Sequence, residues 1–288
     1  MPHAQPTWAE FVSGWQLDIY RDPIYCGMFA GLVLGYLGVY VVLRRMVFIT
    51  AAVSQAAGLG VALSFLVQIK LSLAVPPVVG AVTLSLAVAG IFALPLERLR
   101  MSRESLLGVA YLLAWAGAVM VGDRIAQEAH DISAILFGTA VLVRAEDFYT
   151  LLGVGGFALG WHMLVHRGLV FAIFDPEGAR VQRLPVRLLD LSGFLLTALT
   201  VSVATRALGV LPVFAFAVLP GATGLLLADR VRWVLVIAAL IGALAGAFGY
   251  LLAFFLEFPV GACQTVVAAA PLLIALPVRL LRGRLLRG

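Results

Sequence analysis

The sequence predicts an all-α protein whose helices form a polytopic transmembrane bundle. Hydrophobic residues make up 62% of the 288 residues and charged residues only 12%, whereas soluble domains are roughly 45–50% apolar. Apolar runs recur from Ile24 to the C-terminus, and about 20 such residues cross a bilayer core about 30 Å thick. The two cysteines, Cys26 and Cys263, lie inside apolar runs, which favours packing over a disulfide framework or a zinc site.

The apolar runs predict eight or nine spans. Nine candidate runs are found, at about 24–43, 47–69, 71–96, 105–122, 147–165, 188–206, 209–228, 233–256 and 259–279. The junctions at Lys70 and at residues 207–208 are too short for ordinary loops, which indicates a broken or re-entrant helix at each. The chain is thus divided into an interfacial tail at 1–23, a membrane domain at 24–280 and a basic tail at 281–288.

The distribution of arginine predicts the orientation in the membrane. Basic connections face the cytoplasm, and the alternating basic connections carry Arg44, Arg45, Arg98, Arg100, Arg103, Arg167, Arg180, Arg183, Arg187, Arg230, Arg232 and the C-terminal RLLRGRLLRG. The N-terminus is therefore expected outside and the C-terminus inside. Because the excess arginines flank spans, the net charge of +5 predicts no nucleic-acid partner.

A short polar segment, FDPEGARVQRLPV at residues 174–186, lies on the cytoplasmic side between two apolar runs. Asp175 followed by Pro176 is typical of a helix N-terminus, and Glu177 falls in the first turn, where the helix dipole favours an anion. Pro185 is expected to end the helix. The segment is either a well-capped connector or a docking helix for a cytoplasmic partner.

Several stretches stand in a characteristic order along the chain. They are GVYVVLRRM at 38–46, VSQA at 53–56, LFG at 136–138, FDPEGARVQRLPVR at 174–187, VLPGAT at 218–223 and FPVGA at 258–262. In this order they resemble the motifs of the integral-membrane permease subunits of bacterial zinc, manganese and iron ABC importers. Residues 174–187 resemble that family's coupling helix, FDPExAxxxGLPVR, except that Arg183 stands where glycine is usual.

The resemblance implies a permease subunit of an ABC importer in the bacterial cytoplasmic membrane, and not an enzyme. No GxxxxGK[ST] phosphate loop is present in the sequence, so ATP would be used by partner ABC ATPases and no cofactor is expected on this chain. The other expected partners are an extracytoplasmic substrate-binding protein, a second permease copy and the lipid bilayer. The resemblance assigns ATPase coupling to five residues: Asp175, Glu177, Ala179, Leu184 and Pro185.

The family's metal motif in the second span, GDxxSHA, is altered in this chain. Its aspartate and histidine positions carry Ala51 and Gln55; alanine cannot coordinate a metal, and a glutamine carbonyl is a weak zinc ligand. The resemblance assigns the substrate path to Ala51, Ser54, Gln55, Thr139 and Pro220. The expected substrate is zinc, manganese or iron. The alternatives are a chelated metal, a different solute, or an ion-coupled secondary transporter, which usually carries acidic residues within its spans.

His162 and His166 are candidate replacement ligands, because residues four apart share a helix face. The alternative is that both histidines face lipid headgroups at the interface. Asp190 is expected to pair with Arg187 on the same helix face. Prolines lie within predicted spans, at Pro76 and Pro77 in the third and at Pro212 and Pro220 in the seventh. Each removes a backbone donor and either frees a carbonyl for a water-lined path or forms a kink that serves only packing.

Overall fold

The computed structural model describes residues 12–13, 20–93, 103–125 and 143–285. Within these ranges the structure is helical, with the following helices: α1 Arg21–Leu43, α2 Val47–Leu71, α3 Pro77–Ala93, α4 Arg103–Ile125, α5 Ala145–Phe174, α6 Pro176–Val181, α7 Val186–Leu208, α8 Val210–Leu227, α9 Val231–Leu256 and α10 Val260–Leu285. Eight of these described helices are long and apolar enough to cross a membrane, and α3 is a shorter apolar helix. The predicted all-α transmembrane bundle is confirmed.

The predicted third span starts too early. Residues 72–76 are not helical, Ser72 has a left-handed φ of 54°, and α3 begins at Pro77. A proline at the first helical position loses no hydrogen bond, because that N–H has no partner inside the helix. The prediction that Pro76 and Pro77 lie inside the third span is therefore wrong, since the pair stands at the end of the connection that precedes α3.

The second short junction consists of one residue. Gly209, with φ 94° and ψ 167°, separates α7 from α8. Glycine lacks the β-carbon that disfavours this backbone conformation. Two complete helices therefore meet at Gly209, and Pro212 lies in the first turn of α8 while Pro220 lies inside it.

The first and last segments differ slightly from the predicted domain limits. Helix α1 begins at Arg21, and residues 1–11 and 14–19 of the predicted interfacial tail lie outside the described residues. Helix α10 continues to Leu285, so the predicted basic tail begins as an extension of the last helix.

Helix α1 packs along α9 more extensively than along any other described helix. The contact is made by small residues spaced four apart, which are Gly27, Gly31 and Gly35 on α1 and Ala238, Gly242 and Gly246 on α9. A methyl group added at Gly31 would lie 2.0 Å from the Gly242 carbonyl oxygen. Small residues at this spacing let membrane helices approach at backbone distance. We call these six residues the glycine seam.

Polar contacts join several helix ends on the side of the bundle where arginine is concentrated. Arg44, just after α1, binds Asp190 near the start of α7, and Arg279 of α10 donates to the Leu225 and Leu226 carbonyls at the end of α8. Short helix α6 precedes α7 at this same end of the bundle. The concentration of arginine identifies it as the cytoplasmic end.

Candidate coupling helix and substrate path

The polar segment after α5 forms a short helix with the predicted start. Asp175 is the N-cap residue, and its Oδ1 accepts a hydrogen bond of 2.8 Å from the Gly178 backbone N–H. Pro176 occupies the first helical position and Glu177 the first turn. The carboxylate of Asp175 satisfies a helix N–H that would otherwise have no partner. The N-terminus of α6 is therefore fixed by its own sequence.

The end of α6 differs from the prediction. The Leu184 N–H donates to the Ala179 carbonyl at 3.0 Å, and the Arg183 N–H donates to the Arg180 carbonyl at 2.9 Å. Arg183 has a φ of 58°, so the chain leaves the helix through a left-handed residue, as in a Schellman motif. The prediction that Pro185 ends the helix is wrong, because Pro185 instead precedes α7 as its N-cap residue. The left-handed backbone explains why glycine would suit position 183.

One buried alanine attaches α6 to the bundle. Ala179 is fully buried in a small cluster with Ala172 of α5 and Val186 of α7, against which Phe171 and Leu184 pack. On the solvent side, Val181 is 84% exposed, and Glu177 and Arg180 are also exposed. Helix α6 is thus capped at both ends, fixed by one internal contact, and open on its outer face.

Three of the five predicted path residues lie on α2. Ala51, Ser54 and Gln55 are buried in α2, where Ser54 Oγ donates to the Ala51 carbonyl at 3.0 Å. Gln55 Oε1 is buried and has no hydrogen-bond partner among the described residues. Gly58, one turn later on the same face, contacts α8, since a methyl group added there would lie 2.9 Å from Val210 Cγ2. Gln55 therefore lies on the face of α2 that approaches α8.

The other two predicted path residues are not brought to this point by the described structure. Pro220 lies inside α8 and is buried against α1, where a methyl group added at Gly35 would lie 3.4 Å from Pro220 Cβ. Thr139 lies outside the described residues. The assignment of all five residues to a substrate path stays a prediction.

An open cavity lies in the cytoplasmic half between α1, α2, α5 and α7. It is lined by Tyr40, Val41, Arg44, Met46, Ile49, Thr50, Val53, His162, Leu169, Gly193, Phe194, Thr197, Ala198 and Val201. Most of these side chains are apolar. The polar groups concentrate where α1 faces α5 and α7.

The predicted histidine pair lies beside this cavity. His162 is 1% exposed, its Nδ1 donates to the Ala158 carbonyl at 2.8 Å, and its ring lies 5.3 Å from that of Tyr40. His166 Nδ1 lies 2.8 Å from Tyr40 Oη. The expectation that both histidines face lipid headgroups is wrong for His162, because its ring is buried inside the bundle. Among residues 20–93, 103–125 and 143–285, no three His, Cys, Asp or Glu side chains converge as metal ligands, so a metal role for the two histidines stays a prediction.

Asp190 does not pair with Arg187 as predicted. Its Oδ1 accepts from Arg44 Nη2 at 2.6 Å, while Arg187 is exposed. The prediction considered only neighbours on one helix, and the fold brings the end of α1 to the start of α7. A second interhelical pair, Asp147 with Arg206 at 3.4 Å, joins α5 to α7 at the opposite end.

Sequence reasoning missed this second pair and the glycine seam. The seam had a recognisable signal, because glycines at 27, 31 and 35 follow the small-xxx-small pattern of packed membrane helices. The Asp147–Arg206 pair had a weaker signal, an acid at the start of one span and a base at the end of another. Cys26 and Cys263 are free and buried, which confirms their prediction as packing residues.

A membrane-spanning bundle that presents a short capped helix at its cytoplasmic end is the architecture of a transporter permease subunit. The chain belongs to the ABC 3 transport family, whose pattern matches residues 16–279. The predicted class, the multi-pass permease subunit of an ABC importer rather than an ATPase, is confirmed.

Individual relatives cover most of the chain. It is 27% identical over 249 residues to the manganese transport system membrane protein MntC of Halalkalibacterium halodurans, over 86% of this chain and 83% of that protein. It is 28% identical over 253 residues to the chelated iron transport system membrane protein YfeD of Yersinia pestis, over 88% and 83%. The solved structure of PsaBC from Streptococcus pneumoniae in complex with Fab is similar, with a TM-score of 0.81, 25% identity and coverage of 93% of this chain and 95% of that chain.

Proposed function

We propose that this permease moves a divalent metal, manganese or iron, into the cell, driven by ATP that separate ABC ATPase subunits hydrolyse. The observation that carries the proposal is the construction of α6. This helix is capped by Asp175 at one end and by the left-handed turn at Arg183 at the other. Such a helix moves as one unit, so force applied to its outer face reaches the bundle.

Each predicted coupling residue has a distinct role in this proposal. Asp175 holds the start of α6, and Glu177 stands exposed on the face that an ATPase subunit would contact. Ala179 and Leu184 attach the helix to the ends of α5 and α7. Pro185 directly precedes α7. Movement of α6 is thereby passed to α5 and α7 together.

The substrate proposal rests on Gln55 and on the named relatives. The buried Gln55 Oε1 has no partner among the described residues, and an amide oxygen suits manganese better than zinc, which favours His and Cys ligands. The path would include Ala51, Ser54, Gln55, Thr139 and Pro220. Manganese and iron are also the metals in the names of the MntC and YfeD relatives. Zinc is the third metal to test.

A chelated metal is the second candidate substrate. Ala51 supplies no ligand where the family's motif has aspartate, and a chelate brings its own ligands. The relative YfeD is named for chelated iron. We further propose that the permease works as a homodimer with two ATPase subunits, receives substrate from an extracytoplasmic binding protein, and binds no cofactor itself.

The test is uptake into proteoliposomes that contain the permease, its ATPase and its binding protein. Uptake of Mn²⁺, Fe²⁺, Zn²⁺ and an iron chelate is measured with and without ATP. We expect ATP-dependent accumulation of Mn²⁺ or Fe²⁺. Gln55→Leu, which removes the side-chain oxygen, should reduce this accumulation more than Gln55→Glu. Accumulation of only the chelate would favour the second candidate. No ATP-dependent accumulation of any of them would contradict the proposal.

The role of α6 is tested in the same system. Ala179→Leu inserts a larger side chain into a filled cluster and Glu177→Lys reverses the exposed charge, so we expect either change to abolish uptake while the spans stay folded. Ala179→Ser and Glu177→Gln are the matched controls, since each changes size or charge least. Unchanged ATP-driven uptake in Ala179→Leu and Glu177→Lys would remove this role from α6.

A further inference from the structure

Helix α7 is held by an ion pair near each of its ends. At the cytoplasmic end Asp190 Oδ1 lies 2.6 Å from Arg44 Nη2, just after α1. At the opposite end Arg206 Nη1 lies 3.4 Å from Asp147 Oδ2 in the first turn of α5. The helix that directly follows the coupling helix is thus connected by charge to a different helix at each end.

Helices α1 and α7 pack against each other, and an open cavity lies beside their contact. The cytoplasmic half of α7 lines the cavity through Gly193, Phe194 and Thr197, and α1 lines it through Tyr40 and Val41. Among the polar contacts between described residues, Arg44–Asp190 is the one that joins the cytoplasmic half of α1 to α7. The pair is therefore the direct polar contact between these two helices on the cytoplasmic side.

The charge of Arg44 suits the helix end at which it lies. Arg44 is the C-cap residue of α1, where the helix dipole favours a cation, whereas Asp190 lies just beyond the first turn of α7. The side chain of Arg44 is 19% exposed and that of Asp190 is 44% exposed. Solvent therefore reaches the pair from the Asp190 side and screens it in part.

Helix α7 has few other polar groups available for ties to its neighbours. Its Thr197, Thr200, Ser202 and Thr205 hydroxyls donate to carbonyls one turn earlier in the same helix. Interhelical hydrogen bonds join Ser202 to Ser85 of α3 and Trp161 of α5 to Ser192. None of these reaches α1. A displacement of α6 that moves α7 can reach α1 through Asp190, while α5 contacts α1 separately through His166 and Tyr40.

We propose that the Arg44–Asp190 ion pair is a joint that stays closed through the transport cycle and transmits the displacement of the coupling helix from α7 to α1. From α1 the displacement passes across the glycine seam to α9. Arg44 and Asp190 are then positioning residues, which couple ATP hydrolysis to transport and do not contact the substrate. This inference rests on the proposed function.

The first test measures metal taken up per ATP hydrolysed, in the proteoliposomes described above. Asp190→Asn and Arg44→Gln should leave ATP hydrolysis intact and lower the metal-to-ATP ratio roughly tenfold, within the range of coupling energies of residues in contact. The exchanged pair, Arg44→Asp with Asp190→Arg, should recover part of the ratio. Arg45→Gln is the matched control, since Arg45 is exposed and adjacent. An unchanged ratio in both single variants would overturn the joint.

The second test distinguishes a joint from a gate and needs no transported metal. Spin labels on Arg45→Cys and Arg187→Cys, two exposed positions beside the pair, report the separation of α1 and α7 in the permease–ATPase complex. We expect the same distance with and without ATP, and an ATP-dependent change only after Asp190→Asn. A distance that widens with ATP while the pair is intact would overturn the proposal. If the transporter took up no metal, the proposed function would fail. This distance would still show whether the Arg44–Asp190 pair stays closed when ATP binds.

Discussion

Helix α1 is bound in two very different ways on two of its sides. Against α9 it packs at backbone distance, so that even a methyl group at Gly31 would lie 2.0 Å from the Gly242 carbonyl oxygen. Against α7 the packing is less extensive, a cavity lies beside the contact, and one ion pair, Arg44–Asp190, joins the cytoplasmic ends. The difference divides the described helices into a seam group, α1 with α8, α9 and α10, and a coupling group, α5 with α6 and α7. Motion is then possible between the groups rather than within the seam group.

Gly31→Ala should break the seam and have the largest effect. Its β-carbon would overlap the Gly242 carbonyl, and backbone atoms cannot move aside as a side-chain tip can. Overpacked cores typically lose about 1–3 kcal/mol of stability, and we expect a loss of at least this size. Thermal unfolding in detergent measures it.

Gly156→Ala is the matched control for the seam. It lies in α5, where an added methyl group meets nothing within 4 Å, so the change should be neutral or stabilising by about 0.5–1 kcal/mol. Equal melting temperatures for the Gly31 and Gly156 variants would show that the seam is not close-packed.

Gly209→Ala tests the one residue that joins the coupling group to the seam group at the outer end. Its φ of 94° and ψ of 167° suit glycine and disfavour alanine, with a cost of about 1–3 kcal/mol. We expect a lower melting temperature than in Gly160→Ala, a glycine inside α5 with nothing nearby. If the two variants melt together, the junction between α7 and α8 is not held in this conformation.

Arg183→Gly tests the connection between α6 and α7 within the coupling group. A left-handed residue with a side chain is strained by about 1–2 kcal/mol, so glycine should make the end of α6 more stable and slow hydrogen exchange at the Leu184 amide, which bonds to Ala179. Arg180→Gly, inside α6, should have the opposite effect, because glycine weakens a helix interior. Faster exchange at Leu184 in Arg183→Gly would contradict the left-handed turn.

These comparisons also show which features of the structure can be predicted from the sequence. Hydrophobicity alone predicts the long spans, because a membrane leaves few structures other than helices, and the Asp-Pro pair predicts the start of α6. The sequence does not predict the partner of Asp190, because Arg44 and Asp190 are 146 residues apart and only the fold brings them together. The end of α6 was misplaced for a similar reason, since the left-handed conformation of Arg183 has no sequence signal when glycine is absent. The family motif identifies Gln55, and the structure adds that its buried Oε1 has no hydrogen-bond partner among the described residues.

Arg279→Gln should have the smallest effect and tests a polar tie inside the seam group. Arg279 Nη1 donates to the Leu225 and Leu226 carbonyls at the end of α8, at 3.1 and 2.6 Å, where the helix dipole favours a cation. The residue is exposed, so we expect a loss of about 0.3–1 kcal/mol that shrinks in high salt. Thermal unfolding at two salt concentrations measures it.

The same variant distinguishes a polar contact that only stabilises the bundle from one that transmits motion between helices. Arg279 connects α10 to α8, two helices already packed against each other, so Arg279→Gln should lower stability slightly and leave the metal-to-ATP ratio unchanged. Arg44→Gln removes the ion pair between α1 and α7, so it should lower that ratio even where its melting temperature is close to that of the parent. If Arg279→Gln lowers the ratio as much as Arg44→Gln does, polar ties throughout the bundle carry the motion, and the division into a seam group and a coupling group is wrong.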